Sequence, residues 1–170
     1  IGKEADRVGQ EGGDSGGDAF MTSWCHGAPG IAWGRACLWG TALWDEQAED
    51  EIRIGLNTTA SMPLLEADHL CCGSFGLAAT LRYVGAGPWI TSEADRKAWL
   101  ARSEEIVTQS LSRMATREGQ FNCFGVSEGN LLMPGFFTGL SGIGLLLTSG
   151  ADQESLIPQL MASGLLYVES

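Results

Sequence analysis

Residues 71–84 read CCGSFGLAATLRYV, in which a Gly-Xaa-Xaa-Gly turn opens directly into an apolar stretch of helical length. The same pattern recurs at residues 27–30 (GAPG) and 139–142 (GLSG), each time followed by apolar residues. The copies are 46 and 66 residues apart, which suits a helical hairpin as the repeating unit. Because one hairpin cannot bury an apolar helix alone, the pattern predicts an all-α fold of stacked hairpins.

The segments around these turns predict five helices. They are expected from Pro29 towards Trp44, from about Ala48, from Gly76 to Val84, over 93–116 and over about 140–148. The first is apolar on most sides and is therefore predicted to be buried. The fourth is preceded by Ser92, with Asp95 three residues later, as in a capping box. Its predicted apolar face consists of Leu100, Val107, Leu111 and Met114. Residues 120–133 predict short strands or a loop.

Composition narrows the classes of partner. The chain has 10 basic and 21 acidic residues and a net charge of -11, so a phosphate backbone would be repelled and nucleic acid is not expected. A cationic peptide is a better electrostatic match. No apolar run reaches the ~18 residues of a membrane span. Five cysteines without a secretory signal indicate a reducing compartment, and we expect a cytoplasmic protein.

The first residues differ from the rest of the chain. Residues 1–19 are polar and rich in glycine and predict a flexible loop or linker, whereas 20–170 predict the folded domain. The sequence begins with Ile1 and not with methionine. We therefore expect it to be part of a longer protein, and to be inactive and only partly stable without the remainder.

Two of the Gly turns are preceded by cysteine, in Cys25-His26-Gly27 and in Cys71-Cys72-Gly73. A catalytic zinc ion usually takes three protein ligands and leaves one position open. Sulfurs bound to one tetrahedral zinc lie roughly 3.8 Å apart, close to the spacing of adjacent Cα atoms, so neighbouring cysteines can both bind it. Cys25, Cys71 and Cys72 are therefore candidate zinc ligands.

The cysteines can also be interpreted without a metal ion. Free cysteines are often buried as small apolar side chains, and the adjacent Cys71 and Cys72 could instead form a vicinal disulfide. Cys37 and Cys123 stand in apolar surroundings and are predicted to be core residues, with contact between Cys123 and the site left open.

Three stretches together resemble the LanC-type lanthipeptide cyclase family: SWCHGAPG at 23–30, DHLCCG at 68–73 and PGFFTGLSGIG at 134–144. Their order and spacing are similar to the last three repeats of that family. The Cys-Cys-Gly form resembles bifunctional class II lanthipeptide synthetases that have three cysteine ligands. The resemblance covers nearly all of the chain after residue 20.

The resemblance implies about three hairpins of a seven-hairpin α/α toroid, in which Cys25, Cys71 and Cys72 bind Zn²⁺. It also implies that a peptide cysteine adds to dehydroalanine or dehydrobutyrine of a dehydrated precursor peptide, forming a thioether. His26 stands where the family often has tyrosine, and is a candidate general acid or a structural residue. His69 is expected to bond the backbone and orient the ligand turn.

The sequence departs from the family pattern in several places. No arginine occurs in residues 19–23, and the repeats that supply the family's other histidine and aspartate are missing. An alternative is therefore a catalytically silent, zinc-bearing module that binds peptide. A glycoside-processing toroid is a third reading, but it needs two carboxylates across the sugar bond, and none of the three Gly turns carries an acid.

Overall fold

The computed structural model describes residues 22–123, 133–149 and 156–163, and these residues are predominantly helical. The helices are α1 (Ala28–Ala36), α2 (Glu46–Ser61), α3 (Ser74–Ala79), α4 (Glu93–Thr116), α5 (Leu140–Thr148) and α6 (Leu156–Ser163). A π-helical turn, Thr80–Val84, continues α3. The predicted all-α class is confirmed, while the toroidal arrangement stays a prediction. The predicted linker at 1–19 lies outside the described residues.

Several helix ends lie where local sequence signals predicted them. The Ser92 side chain caps α4 by accepting the N–H of Asp95 at 3.3 Å, and Asp45 caps α2 by accepting the N–H of Ala48 at 2.8 Å. The bounds of α4 and α5 match the prediction. The third helix begins at Ser74, two residues before its predicted start. Capping groups fix these ends because they satisfy backbone donors that have no partner within the helix.

Helix α1 is shorter and more exposed than predicted. It ends at Ala36, and the chain then forms turns as far as Leu43 instead of continuing helically to Trp44. Gly40 adopts φ 78°, a left-handed conformation that cannot continue a right-handed helix. Its predicted burial is confirmed for Pro29, Ala32, Trp33 and Ala36, whereas Ile31 is 55% exposed.

The helices pack as two hairpins that share one core. Helix α1 packs on α2, α3 packs on α4, and the π-helical turn contacts α1, α2 and α4. The indole N–H of Trp33 in α1 donates to the Thr80 hydroxyl at 3.0 Å and joins the two hairpins. Helix α5 contacts α3, and α6 contacts α1. Large side chains that are fully buried in this core include Ile52, Leu56, Phe75, Leu77, Ile106 and Ile143.

The buried face of α4 differs from the predicted one. Its buried residues are Trp99, Ser103, Ile106 and Ser110, whereas Leu100, Val107, Leu111 and Met114 are half-buried. The hydroxyl of Ser103 donates to the carbonyl of Ala78 at 2.8 Å. A small polar residue therefore faces α3, because it permits close helix packing and supplies a hydrogen bond.

The structure also contains a loop after α4 and a sixth helix, α6. Residues 120–123 form a loop, and 124–132, the rest of the segment predicted as strands or loop, lie outside the described residues. Helix α6 was not predicted. Among the described helices, none combines the length and the apolar character needed to cross a bilayer.

Candidate metal centre

The three Gly-Xaa-Xaa-Gly turns have similar local structures, although Gly27 adopts φ 119° where Gly73 and Gly139 are extended. Their first glycines, Gly27, Gly73 and Gly139, are the N-cap residues of α1, α3 and α5. Their second glycines lie against a carbonyl oxygen six residues earlier, where a Cβ would come within 2.1 Å of it. These contacts are Gly30 with Trp24, Gly76 with Leu70 and Gly142 with Phe136. Since no side chain fits there, the repeat is a repeat of structure as well as of sequence.

This equivalence aligns the residues that precede each turn. Cys25, Cys71 and Phe137 each lie two residues before the N-cap glycine, and His26, Cys72 and Thr138 lie one residue before it. The backbone N–H of Cys71 donates to the carbonyl of Phe137 at 2.8 Å, which holds the second and third turns together. The ring of Trp24 stacks on that of Phe137 at a centroid distance of 4.7 Å, which holds the first turn to the third.

The fold brings the three candidate ligands into one cluster. The sulfur of Cys72 lies 2.9 Å from that of Cys25 and 3.5 Å from that of Cys71. All three sulfurs lie within 4.8 Å of one another. Each cysteine is half-buried, and all five cysteines of the chain are free thiols, so the alternative of a Cys71–Cys72 disulfide is not realised. The cluster joins residues that are far apart in sequence but occupy equivalent turns.

The thiols of the cluster influence one another's ionisation. Burial raises the pKa of Cys25, but hydrogen bonds, led by the one with Cys72, outweigh it and lower the pKa to about 7. Burial and the neighbouring thiols raise the pKa of Cys71, and burial and Cys25 raise that of Cys72. One negative charge is thus favoured, and further ones are opposed by repulsion. A bound cation is what allows three adjacent thiols to ionise together.

The donor set fits zinc. Three thiolates are soft ligands of the type that zinc sites use, and three protein ligands leave one tetrahedral position for another molecule. Sulfurs around one zinc ion lie roughly 3.8 Å apart. The contacts of 2.9 and 3.5 Å are shorter than this spacing, and the third sulfur pair also lies within 4.8 Å, so the three sulfurs lie within the range that a shared metal ion requires.

His26 lies at the solvent side of the cluster. Its side chain is exposed, and its Nδ1 lies 3.1 Å from the sulfur of Cys25. The backbone N–H of Ser23 donates to the His26 carbonyl at 2.9 Å, and the His26 N–H donates to the Ser23 carbonyl at 3.2 Å. The imidazole is therefore next to a candidate ligand and accessible to a peptide.

His69 lies beneath the second turn and is completely buried. Its Nδ1 accepts the backbone N–H of Cys72 at 3.2 Å, which confirms the predicted bond to the backbone of the ligand turn. Burial lowers the pKa of His69, while the Phe137 carbonyl and the Asp68 carboxylate act in the opposite direction. The imidazole is thus favoured as a neutral hydrogen-bond acceptor at this position.

The remaining cysteines lie outside the cluster. Cys123 is 4% exposed and belongs to the core, as predicted, and burial raises its pKa. Cys37 follows α1 and is half-buried, which is more exposed than a core residue. Neither belongs to the group of sulfurs that could hold a metal ion.

Sequence reasoning missed the groups that support the second turn. Asp68 is fully buried and bonded to two arginines of distant sequence, Arg113 and Arg117. Phe137 supplies a carbonyl and a ring to the other two turns. Aligning the three Gly turns would have revealed the position of Phe137, whereas no local pattern indicates the pairing of Asp68 with α4.

The structure thus defines a helical protein in which three thiols that could hold a metal ion meet at equivalent helical turns. The chain belongs to the lanthionine synthetase C-like protein family, whose sequence profile matches residues 6–162. Searches among curated proteins and among solved structures found no match. Membership of this family supports a cyclase-type role in general and a peptide as the substrate.

Proposed function

We propose that the chain is the zinc-binding part of a cyclase that forms lanthionine and methyllanthionine rings in a dehydrated precursor peptide. The observation that carries this proposal is the sulfur cluster of Cys25, Cys71 and Cys72, all within 4.8 Å of one another. Family membership supplies the reaction class. The cluster supplies ligands for a zinc ion, which would activate the substrate thiol by holding it as a thiolate.

The reaction is the addition of a thiol across a carbon–carbon double bond. Cys25, Cys71 and Cys72 would hold a zinc ion, and this ion would supply the charge that keeps the peptide cysteine as a thiolate. A new bond joins this sulfur to the β-carbon of dehydroalanine or dehydrobutyrine while the π bond breaks. One proton leaves the thiol and one is added at the α-carbon, so the peptide keeps its mass.

His26 is the proposed donor of the proton at the α-carbon. It is exposed towards the solvent side, and its Nδ1 lies 3.1 Å from the Cys25 sulfur, so its ring borders the place where the peptide sulfur would bind. An imidazole releases and regains a proton near neutral pH, which suits general acid catalysis. Its location is compatible with this role without a change in the fold.

We also propose how the site is placed within a longer protein. Residues 20–170 are proposed as the C-terminal portion of the cyclase domain and 1–19 as a linker, in a bifunctional class II synthetase located in the cytoplasm. The upstream remainder of that synthetase is its expected covalent partner. The 170 residues alone are expected not to close rings.

The proposed open ligand position can be tested on the chain itself. Cobalt replaces zinc with similar geometry, and its sulfur charge-transfer absorption reports each thiolate that it binds. Adding a peptide with one cysteine should increase this absorption, while a matched peptide with serine should not. An unchanged spectrum with the cysteine peptide would mean a closed, structural site and would contradict a cyclase.

The ring-closing step needs the synthetase that carries this chain. Alkylation of free thiols followed by mass spectrometry counts the rings that remain open in a dehydrated peptide. Closure that is lost with Cys72→Ala supports the proposal. If the unchanged synthetase binds the dehydrated peptide but closes no rings, the result would instead favour the alternative, a silent peptide-binding module.

Replacement of His26 tests its role separately from that of the metal. In the synthetase that carries this chain, we expect His26→Ala to slow ring closure by roughly 10²-fold or more, the usual contribution of a general acid. Zinc content should remain that of the unchanged protein. Closure at the original rate would reduce His26 to a structural residue.

A further inference from the structure

Asp68, three residues before the Cys71-Cys72 pair, is held by groups that are distant in sequence. Its side chain is fully buried. The guanidinium of Arg113 donates to Oδ1, that of Arg117 donates to Oδ2 at 3.3 Å, and the backbone N–H of Asn122 donates to Oδ2 at 2.6 Å. Arg113 also donates to the carbonyl of Leu65 at 2.7 Å. The last turn of α4 and the loop that follows it thus hold the segment that leads to the cysteines.

The backbone carries this anchoring to the sulfur cluster. The carbonyl of Asp68 accepts the N–H of Phe75 at 3.0 Å, which ties the start of the turn to the start of α3. The next residue, His69, accepts the N–H of Cys72 on its Nδ1 at 3.2 Å. Asp68 and His69 therefore fix both ends of the short segment that presents Cys71 and Cys72.

We propose that Arg113 of α4 is a positioning residue for the metal site. It lies 45 residues from Asp68 in sequence, and through Asp68 it holds the Cys71-Cys72 turn in the geometry that the metal needs. This inference rests on the proposed function, because it assumes that the cluster binds a metal ion. Without the guanidinium, the buried carboxylate loses its main charged partner and the turn rearranges to reach water.

Arg102 offers a matched control on the same helix. Its side chain is exposed to a similar extent, 22% against 20% for Arg113. It also donates to backbone carbonyls, those of Ala60 at 3.0 Å and Met62 at 2.7 Å, and pairs with Glu105. These contacts anchor the end of α2 and not the ligand turn. Arg102→Met therefore removes a comparable anchor from a region that does not contact the cysteines.

The test measures cobalt binding to the metal-free chain and its Arg113→Met, Arg113→Lys and Arg102→Met variants. Cobalt affinity and the absorption spectrum of the bound ion are recorded, with circular dichroism to establish that each variant is folded. We expect Arg113→Met to weaken cobalt binding about tenfold or more, the range seen when outer-shell support is removed, and to shift the ligand-field bands. Arg113→Lys keeps the charge and should recover part of the affinity, and Arg102→Met should bind as the unchanged chain does.

The outcomes separate this inference from the proposed function. If the unchanged chain binds no cobalt, the proposed function fails together with its metal site. If it binds cobalt and Arg113→Met has the same affinity and spectrum, only the positioning role is overturned. Equal losses in Arg113→Met and Arg102→Met also overturn it, because they indicate general destabilisation. Should Arg113→Met not fold, Arg117→Met replaces it, with a smaller loss expected because its contact with Asp68 is longer.

Discussion

The two cysteine-bearing turns have similar backbones, each with a glycine that lies against a carbonyl oxygen six residues earlier, but they differ in their tertiary contacts. The turn with Cys71 and Cys72 follows three fully buried residues, Asp68, His69 and Leu70, and is bonded to α4 and to the third turn. The turn with Cys25 is closed mainly by the bridge between Ser23 and His26, and its His26 side chain is exposed. The Cys71-Cys72 side of the cluster is therefore held by more tertiary hydrogen bonds than the Cys25 side, which the stacking of Trp24 on Phe137 joins to the third turn.

Removal of single cysteines should break the site and reveal this asymmetry. We expect Cys71→Ala, Cys72→Ala and Cys25→Ala each to lower zinc affinity by more than about 100-fold, since loss of a direct ligand exceeds the 10–100-fold effect of its supports. The loss should be greatest for Cys71→Ala or Cys72→Ala, because each leaves one ligand on each turn, whereas Cys25→Ala leaves the Cys71-Cys72 pair on the turn with more tertiary contacts. Competition with a chromogenic chelator measures the affinities.

Cys37→Ala serves as the control for that series, because Cys37 lies outside the cluster. Its zinc content should equal that of the unchanged chain. Full zinc content in Cys71→Ala or Cys72→Ala would contradict the assigned ligands, and equal losses in all three ligand variants would contradict the asymmetry.

Alanine at the second glycine of each turn should sharpen the comparison. In Gly76→Ala the new Cβ would lie 2.0 Å from the carbonyl oxygen of Leu70, whose segment is anchored and cannot yield. We expect unfolding free energy to fall by about 3 kcal/mol. In Gly30→Ala the Cβ would lie 2.1 Å from the oxygen of Trp24. Because that turn can move, we expect about half this loss. Urea denaturation measures both.

Gly34→Ala is the matched control within α1, since its Cβ would have no heavy atom within 4 Å. Alanine favours a helix, so this variant should gain up to about 1 kcal/mol. Equal losses for Gly30→Ala and Gly76→Ala would show that the two turns are equally rigid.

The rate of thiol alkylation in the metal-free chain should also differ between the two turns, but less than zinc affinity does. With its pKa lowered to about 7, Cys25 is half thiolate at neutral pH, whereas an ordinary thiol of pKa 9.0 is largely protonated. Lower basicity also weakens the nucleophile, so alkylation of Cys25 should be only about five- to tenfold faster than that of an ordinary cysteine. Its rate should be half-maximal near pH 7 and level off about one pH unit higher.

Cys71 and Cys72 should react more slowly than Cys25 at neutral pH, because burial and neighbouring thiols raise the pKa of each. Peptide mapping after timed alkylation, with a chelator present, gives the three rates. Faster alkylation of Cys71 than of Cys25 would contradict the order of the pKa values.

The parts of this structure that could be predicted from sequence are those set by local chemistry. The cap at Ser92 and the Gly turns fixed the starts of α4 and α5, and the cysteines beside those turns are indeed brought together. The end of α1 was missed because the pattern of apolar residues continues past Gly40, where the backbone turns.

The anchor between Asp68 and α4 could not be predicted, because it joins residues 45 positions apart that share no periodic pattern. The buried face of α4 was also misjudged. Apolar periodicity favoured its large side chains, while close packing against α3 selected Ser103. Both failures concern tertiary contacts, which overrule local preference.

The repeated glycine caps also shape the electric field at the sulfur cluster. Helices α1 and α3 begin at Gly27 and Gly73, so the positive ends of both helices lie within a few residues of the cysteines. The third turn, bonded to Cys71 through Phe137, adds the start of α5. Each helix start carries roughly half a positive elementary charge. Three thiolates around a divalent cation would have one negative charge in excess, and the positive helix ends near the cluster favour that charge.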